Sequence, residues 1–425
     1  MRRHAPVARA AALAAVVALL ALSPRPAAAS PVDLFGLGAR AQAMAGAVLG
    51  TTRGFEATYY NPAGLAFERR PSVALGFQSA GFDLEVNGEP ARARDASALV
   101  IGFSVPIPFG DVLADRVTLG LAFTIPQGSI LIADIKRAGD PTFLVLENRA
   151  QTVSVLGALG IRITDELAIG VGALALASLH GDIRVEPGPS GALGTRVRDE
   201  LLADYAAIVG LSARPTEWLA LAATWRQAST ARFELPITAD LGDAFGIPLP
   251  ELDVTGTAQY DPAEVAFEAA FHPAPGLTVA ADVVWQQWSD MPLPLVYTAA
   301  TPDTPPQPAP DFHDTVSLRL GAELALAVTA DLTVTPRAGF SWEPSPAPEQ
   351  TGLHNHLDGD RAVVTLGVGA QWGPLRLDLA GQLHTVAERT STKDPALAAE
   401  DNAGFPSITS RGTVLEGALE LGIEL

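Results

Sequence analysis

The sequence contains no cysteine, and beyond its first 29 residues it has no uncharged apolar run of about 18 residues or more. The first absence excludes a disulfide framework and a lipid-modified N-terminal cysteine. The second excludes transmembrane helices, although 48% of the residues are hydrophobic and the mean hydropathy is +0.23. Basic residues are also scarce, since 28 lysines and arginines face 47 acids without any basic cluster, and this excludes nucleic-acid binding.

Charged residues make up only 18% of the chain, which is low for a soluble surface, while 39 glycines and 34 prolines disfavour long helices. Helical bundles and polytopic helical proteins are therefore not expected. The composition leaves an apolar, acidic chain of 425 residues, with a formal charge of −19, whose hydrophobic residues must be buried in some other way.

The N-terminus has the layout of a secretory signal peptide. Arginines at positions 2, 3 and 9 precede the apolar stretch 10–22, and three alanines at 27–29 form a small-residue cleavage site. Removing residues 1–29 takes away four arginines and no acid, which changes the charge from −19 to −23. The mature chain is predicted to be exported and to begin at Ser30.

The strongest pattern in the remaining chain is alternation of apolar with polar or small residues in segments of about ten residues. In 415–425, for example, leucine and isoleucine alternate with Glu416, Glu420 and Glu424. Fourteen such segments are predicted as strands: 71–82, 95–106, 116–126, 149–163, 166–180, 200–213, 217–232, 254–271, 277–289, 313–327, 330–343, 360–372, 374–388 and 411–425.

Long connections follow the odd-numbered segments and mostly tight ones the even-numbered segments, so the two kinds lie at opposite ends. This layout is typical of an outer-membrane barrel with long external loops and short periplasmic turns. An open sheet is excluded because unpaired backbone groups are costly in lipid. Aromatic residues at both ends predict interfacial girdles: Trp218 and Trp372 at the short turns, and Trp285, Trp288, Trp342 and Phe340 at the long loops. The predicted fold class is an all-β transmembrane antiparallel barrel of about 14 strands, over 71–425.

Residues 30–70 do not fit the barrel pattern and are predicted to form a hatch inside its lumen. The small residues of 36–47 lack the charged face that a surface helix needs and suit close packing. The motif Asn61-Pro62-Ala63-Gly64 predicts a capped turn, because asparagine can cap and proline presets φ at the first helical position. The hatch also carries four aromatic residues, Phe35, Phe55, Tyr59 and Tyr60.

Strands 5 and 6 are apolar on both faces, which a water-filled porin would not need. Leu174, Leu176 and Trp288 are the candidates for an apolar lumen lining. Such a wall serves either as contact with the hatch or as a path for a hydrophobic ligand, and both alternatives favour a plugged barrel. If the ligand carries a carboxylate, cations of the long 126–149 loop are candidates for its capture, with apolar neighbours: Lys136, Arg137, Arg149, Phe143 and Leu144.

No enzymatic motif is present, and no cofactor is expected. His354, His356, Asp358 and Asp360 have metal-like spacing, but they lie in a predicted external loop, and we expect no metal there. His180 and His384 are interpreted as ordinary loop-end residues.

Several segments resemble the FadL/TodX family of outer-membrane transporters for long-chain fatty acids and other hydrophobic compounds. They cover the hatch and the C-terminal half of the barrel: 38–47, 59–66, 281–289, 313–323, 337–340, 345–348 and 358–361. The resemblance implies a fourteen-stranded barrel with a hatch, ligand capture by external loops, and sideways release into the bilayer through a gap at an inward kink of the third strand. The family motif carries over to Asn61, Pro62, Ala63 and Gly64.

The function indicated is passive uptake of hydrophobic molecules across the bacterial outer membrane by movement of the hatch, with long-chain fatty acids as the favoured cargo. The partners expected are this small molecule and outer-membrane lipid, and the barrel is expected to be a monomer. The alternative is a structural or secretion-associated barrel that holds a partner protein and transports no lipid.

Overall fold

The computed structural model describes residues 32–91, 93–110, 113–127, 139–147, 152–187, 193–239, 252–297, 309–397 and 402–425. Fourteen antiparallel strands form a barrel wall. They are β1 (Ser72–Val86), β2 (Ala96–Pro106), β3 (Val117–Pro126), β4 (Ser154–Arg162), β5 (Leu167–Pro187), β6 (Leu193–Thr216), β7 (Leu219–Arg226), β8 (Ala263–Ala274), β9 (Leu277–Gln287), β10 (Thr315–Leu324), β11 (Leu332–Glu343), β12 (Arg361–Trp372), β13 (Leu375–Thr392) and β14 (Ser407–Glu424).

The barrel closes because β1 pairs with both β2 and β14. Val73 lies opposite Phe103 on one side and Ile423 on the other. Closure leaves no open sheet edge in the bilayer, where each unpaired backbone group would be costly. Among the described residues, no helix combines the length and the apolar character needed to span a bilayer. The predicted fold class, a fourteen-stranded barrel with an N-terminal hatch, is confirmed.

Alternation along each strand separates a lipid-facing surface from the lumen. In β13, Leu379 and Leu383 are exposed, whereas Asp378 and His384 are buried. Because successive strand residues point to opposite faces, the apolar side chains of the wall are spread over every second position. This explains how a chain that is 48% hydrophobic avoids long apolar runs.

Exposed aromatic residues mark both ends of the wall. Trp218 and Trp372 are about half exposed beside short turns, while Trp285 and Trp342 are exposed near the long-loop end. The prediction for Trp288 as a girdle residue is wrong, since it is only 2% exposed. A 3-10 turn over Trp288–Asp290 follows β9 and carries this side chain inward, out of the strand alternation.

The short turns need glycine at two positions. Gly276, between β8 and β9, has φ of +78°, and Gly373, between β12 and β13, has φ of +58°. L side chains rarely adopt this left-handed conformation, so glycine allows the strands to reverse within a few residues.

The predicted segments 217–232 and 254–271 are each broken in the structure. β7 ends at Arg226, and a separate strand over Ser229–Ala239 pairs with Leu252–Asp261 and, in parallel, with β5. Pro262 interrupts the second segment, because proline has no N–H to donate to a ladder. These two strands therefore leave the cylindrical wall at its long-loop end.

The third strand is regular over its described length. β3 pairs with β2 through Pro126 and with β4 through Thr124, without a register shift in either ladder. The kink and gap that the family resemblance implies for this strand are not found within the described part of β3.

Residues 32–67 occupy the interior of the barrel. They contain short helices α1 (Val32–Phe35) and α2 (Ala39–Ala43), then 3-10 helices over Gly54–Thr58 and Pro62–Phe67. Most of their side chains are buried against the inner wall. We call this segment the hatch.

Candidate functional site

The Asn61-Pro62-Ala63-Gly64 motif forms the turn that its sequence predicts. Asn61 caps the 3-10 helix over Pro62–Phe67, since its Oδ1 accepts a hydrogen bond from the Ala63 N–H at 3.0 Å. Its Nδ2 donates to the Leu49 carbonyl at 3.0 Å and to the Leu211 carbonyl of β6 at 3.2 Å. The fully buried Asn61 therefore joins two parts of the hatch to the wall.

The wall under this motif is made of glycine. Gly160, Gly170 and Gly210 are directly paired across β4, β5 and β6. A Cβ added at Gly170 would lie 2.2 Å from the Ala63 nitrogen, and one at Gly210 would lie 2.0 Å from the Asn61 Oδ1. The turn therefore packs directly against the backbone of these three strands, with no side chain between them. We call these three residues the glycine track.

Ion pairs hold the opposite side of the hatch. Arg40 donates two hydrogen bonds to Glu323 of β10, at 2.7 and 3.1 Å. Glu323 also accepts from Arg337 of β11 at 3.0 Å, and Arg337 donates to Asp378 of β13 at 2.6 Å. Each arginine in this series contacts two acceptors, as its forked guanidinium allows.

The series continues from Asp378 to Arg376, at 2.9 Å, and from Arg376 to Glu420 of β14. Glu420 also accepts the Ala39 N–H at 3.1 Å, which returns the network to the hatch. We call the series from Arg40 to Glu420 the ion-pair floor. It lies next to a cavity of about 710 Å³ at the short-turn end, whose lining includes Arg53, Glu68, His272 and Thr335.

Glu56 of the hatch borders the ion-pair floor without joining it by a hydrogen bond. Its Oε2 lies 3.7 Å from Arg40 Nη1, and neither carboxyl oxygen has a hydrogen-bond partner within the described residues. Burial and the charge of Glu420 raise the pKa of Glu56 to about 7, against the opposing effect of Arg40. Glu56 can therefore change its charge near neutral pH.

A further wall carboxylate binds the hatch backbone. Glu268 of β8 accepts the N–H groups of Leu49 at 2.5 Å and Gly50 at 2.7 Å. Because the Leu49 carbonyl also accepts from Asn61, the loop at 48–51 is held from both sides.

The four hatch aromatics are all buried. The ring of Tyr59 packs edge-on against Tyr60 at 5.1 Å, and the Arg226 guanidinium lies 3.9 Å above Tyr59. Burial raises the pKa of both tyrosine hydroxyls, so they stay neutral. Phe55 packs on Gly102 of β2, where an added Cβ would lie 2.0 Å from its ring.

Phe35 contacts His384, whose position differs from the one predicted from the sequence. The His384 ring packs edge-on against Phe35 at 5.5 Å between centroids, and His384 is only 1% exposed. Its interpretation as a loop-end residue is wrong because β13 continues to Thr392, which leaves His384 in mid-strand on the lumen face. His180 also lies within a strand, β5, with Nδ1 at 2.9 Å from Glu234.

The predicted lumen residues belong to two separate apolar clusters. Leu174 and Leu176 of β5 pack in one cluster with hatch residues that include Met44 and Tyr59. Trp288 lies in another, where its ring centroid is 6.0 Å from that of Tyr260 and 6.2 Å from that of Phe312. We call the second group, which also contains Leu144, Val145, Met291 and Ala347, the outer aromatic cluster.

The predicted capture residues are only partly described. Leu144 belongs to the outer aromatic cluster, whereas Phe143 packs in a third cluster with Leu34 and Phe35 of the hatch. A single helical turn over Leu144–Glu147 therefore bridges the long-loop end and the hatch. Lys136, Arg137 and Arg149 lie outside the described residues.

Three long connections meet above the barrel around Asn355. Its Nδ2 donates to the Gly139 carbonyl at 2.6 Å and to the Ala403 carbonyl at 2.8 Å. The buried Lys393 Nζ donates to Asn355 Oδ1 at 2.5 Å and to the Gly352 carbonyl at 2.8 Å. Across the described ranges, no three His, Asp or Glu side chains come together as a metal site.

The histidines of this loop should make its packing acid-sensitive. Burial and the nearby His354 and Lys393 charges lower the pKa of His356 to about 4. Since the unfolded value is near 6.5, the loop is fully stable above that pH and loses up to about 3 kcal/mol as pH falls through 4. The protection factors of the amides at 350–357 against hydrogen exchange, which correct for the intrinsic exchange rate at each pH, should fall from pH 7 to pH 4.5.

The variant His356→Phe should remove this acid effect, because the ring Nε2 makes no hydrogen bond to any described residue. The variant His180→Gln is the control and should keep it. An equal fall of the protection factors in His356→Phe and the wild type would contradict the assignment.

Comparison with known proteins relates this architecture to outer-membrane transport. The family profile described as outer membrane protein transport protein (OMPP1/FadL/TodX) matches residues 17–406. No curated protein sequence matches the chain.

Solved structures that share the fold include the following three. A Pseudomonas aeruginosa FadL homologue has 17% identity and a TM-score of 0.62, covering 91% of this chain and 97% of that one. The P. putida toluene transporter TodX has 15% identity and a TM-score of 0.57, with coverage of 92% and 99%. The CymD monoaromatic hydrocarbon channel has 14% identity and a TM-score of 0.54, with coverage of 92% and 98%.

Proposed function

Because the chain belongs to the OMPP1/FadL/TodX family of outer-membrane transport proteins, we propose that it carries long-chain fatty acids or similar hydrophobic molecules inward, by hatch movement and sideways release. The observation that carries this proposal is the presence of two apolar clusters: the outer aromatic cluster, and the cluster in which hatch residues pack against the inner wall. A hydrophobic molecule entering from the loops would exchange water for these side chains, which is favourable at about 25 cal/mol per Å² of apolar surface.

The ion-pair floor supports sideways release over exit into the periplasm. Arg40, Arg337 and Arg376 are bound by buried carboxylates at the short-turn end. An apolar molecule passing there would separate these charges without replacing their hydrogen bonds, which is strongly unfavourable. The route proposed therefore leaves the lumen above the floor, and it does not depend on a break in the described part of β3.

Uptake of radiolabelled oleate and toluene by a deletion strain, with and without the gene restored, tests the proposed function. Gene-dependent oleate uptake is expected. Uptake of toluene alone would replace the fatty acid by an aromatic hydrocarbon as the cargo. No gene-dependent uptake of either compound would favour the alternative, a barrel that holds a partner protein.

If the cargo is a fatty acid, Lys136→Gln combined with Arg137→Gln should weaken oleate binding. A charge-assisted hydrogen bond contributes about 1.5–3 kcal/mol, so the affinity should fall at least about tenfold. Binding of oleyl alcohol, which has no carboxylate, should be unchanged. The matched control is Arg69→Gln with Arg70→Gln, which removes two exposed cations next to the hatch. Unchanged oleate affinity in the first variant would reject capture by these loop cations.

A further inference from the structure

We infer that Asp282 is a positioning residue of the hatch: as a neutral acid it donates a hydrogen bond to Glu268 and keeps that carboxylate on the loop at 48–51. The inference rests on the proposed function in one respect, since it names a latch for the hatch movement. It concerns two wall residues: Asp282 lies in the segment 281–289 that resembles the family, and Glu268 lies in no such segment.

The two carboxyl groups face each other inside the lumen. Glu268 of β8 and Asp282 of β9 are register partners, and their exposures are 4% and 2%. Directly opposed residues of an antiparallel pair have Cβ atoms about 4.5–5.5 Å apart, within reach of a shared hydrogen bond. Two carboxyl groups so placed can share a hydrogen bond only when one of them is protonated, because two carboxylates offer acceptors alone. No described residue donates a hydrogen bond to either Asp282 oxygen, so an ionised Asp282 would be a buried carboxylate without a donor.

If both carboxyl groups were ionised, the pair and the one free cation near it within the described ranges would carry a net charge of −1, so one added proton makes the site neutral. Glu264, on the same strand, is bound by Arg226 at 2.6 Å, and the hatch residue Arg40 is bound by Glu323. Arg319 of β10 lies opposite Asp282 in the register and is the remaining nearby cation in the described structure, without a hydrogen bond to the pair. Two buried carboxylates beside one cation repel each other strongly, so the pair retains a proton.

Glu268 already accepts two hatch N–H groups, from Leu49 and Gly50. It is therefore the acceptor in the pair, and Asp282 holds the proton and donates. A third hydrogen bond then fixes the Glu268 carboxylate against the loop. Loss of that proton would place two negative charges together and drive Glu268 away from Leu49 and Gly50, which frees the loop on that side.

We call the hydrogen bond from Asp282 to Glu268 the latch. It can be tested without any cargo by measuring how often the loop at 48–51 opens away from the wall. Val48→Cys puts a thiol at a fully buried loop position in a chain that has no other cysteine. The rate at which a small maleimide labels this thiol, divided by its rate with free N-acetylcysteine at the same pH, reports opening, because the division removes the ionisation of the thiol itself. In the Val48→Cys protein this relative rate should rise with pH by up to about tenfold per unit, the limit for one proton.

Adding Asp282→Asn should keep labelling slow and remove the rise with pH, because the amide donates a hydrogen bond but cannot ionise. Adding Asp282→Ala should give fast labelling at every pH, because the donor is lost. Rescue by asparagine and not by alanine is a result that simple packing would not produce. Heat-modifiable gel mobility checks that each barrel is folded.

Two outcomes would overturn the latch. The first is a pH dependence that survives in Asp282→Asn, which would point to Glu56 as the titrating group, since that variant leaves Glu56 intact. The second is equal labelling of the asparagine and alanine variants. Oleate uptake is measured separately, so a protein that transports no fatty acid can still show the latch, and a transporter can still lack it.

Discussion

The double variant Gly50→Cys with Ala220→Cys is expected to lose cargo uptake when oxidised and to regain it on reduction. A Cβ built on Gly50 lies 3.5 Å from the Ala220 Cβ of β7, within the 3.5–4.5 Å range of natural disulfides. An exported protein folds in an oxidising compartment, so the bond should form without added oxidant. It would fix the loop at 48–51 to the wall and prevent the hatch movement proposed for transport.

The matched control joins two wall strands and leaves the hatch free. A Cβ built on Gly76 of β1 lies 3.4 Å from the Val100 Cβ of β2, so Gly76→Cys with Val100→Cys should form a comparable bond. Uptake should then equal that of the wild type under both redox conditions. Because the natural chain has no cysteine, each bond can be assigned without background thiols. Full uptake through the oxidised Gly50 and Ala220 pair would rule out movement of this loop.

The strands of the barrel wall could be predicted from the sequence because they all follow one physical rule. Lipid on one side and a filled lumen on the other require alternation along every strand, and fourteen segments show it. The rule failed where the chain stops being a wall strand. Trp288 turns inward with a 3-10 helix, and Pro262 ends a ladder that alternation alone would continue.

The hatch site was predictable only in its local part. The Asn61 cap follows from an asparagine-proline pair, whose geometry is set within four residues. Its partners, Leu211 and the glycine track, depend on which face of the barrel the hatch meets, and no local pattern encodes this. Glycines at inward positions of β4, β5 and β6 were a visible signal, but their meaning required the position of the turn. The carboxyl pair of Glu268 and Asp282 likewise lies on different strands.

The second large effect is expected from a substitution in the glycine track. Gly170→Leu should expel the Asn-Pro-Ala-Gly turn from the wall, because the new Cβ would lie 2.2 Å from both the Ala63 nitrogen and the Pro62 carbonyl carbon. These are backbone atoms and cannot move aside as a flexible side chain could. The strand itself should accept leucine, since Gly170 has an ordinary φ and bulky residues suit strands better than glycine does.

Displacing the turn removes the buried Leu65 from its site and breaks the contact between Asn61 and Leu211. Together these losses should destabilise the hatch by on the order of 3 kcal/mol. With the plug loosened, ion conductance in planar bilayers should rise well above that of the wild type, while heat-modifiable mobility still reports a folded barrel. The control is Gly157→Leu on β4, where an added Cβ meets nothing closer than Leu121 Cδ2 at 3.5 Å. If Gly170→Leu keeps wild-type conductance, the turn does not seal the lumen, and the seal must come from the ion-pair floor on the other side of the hatch.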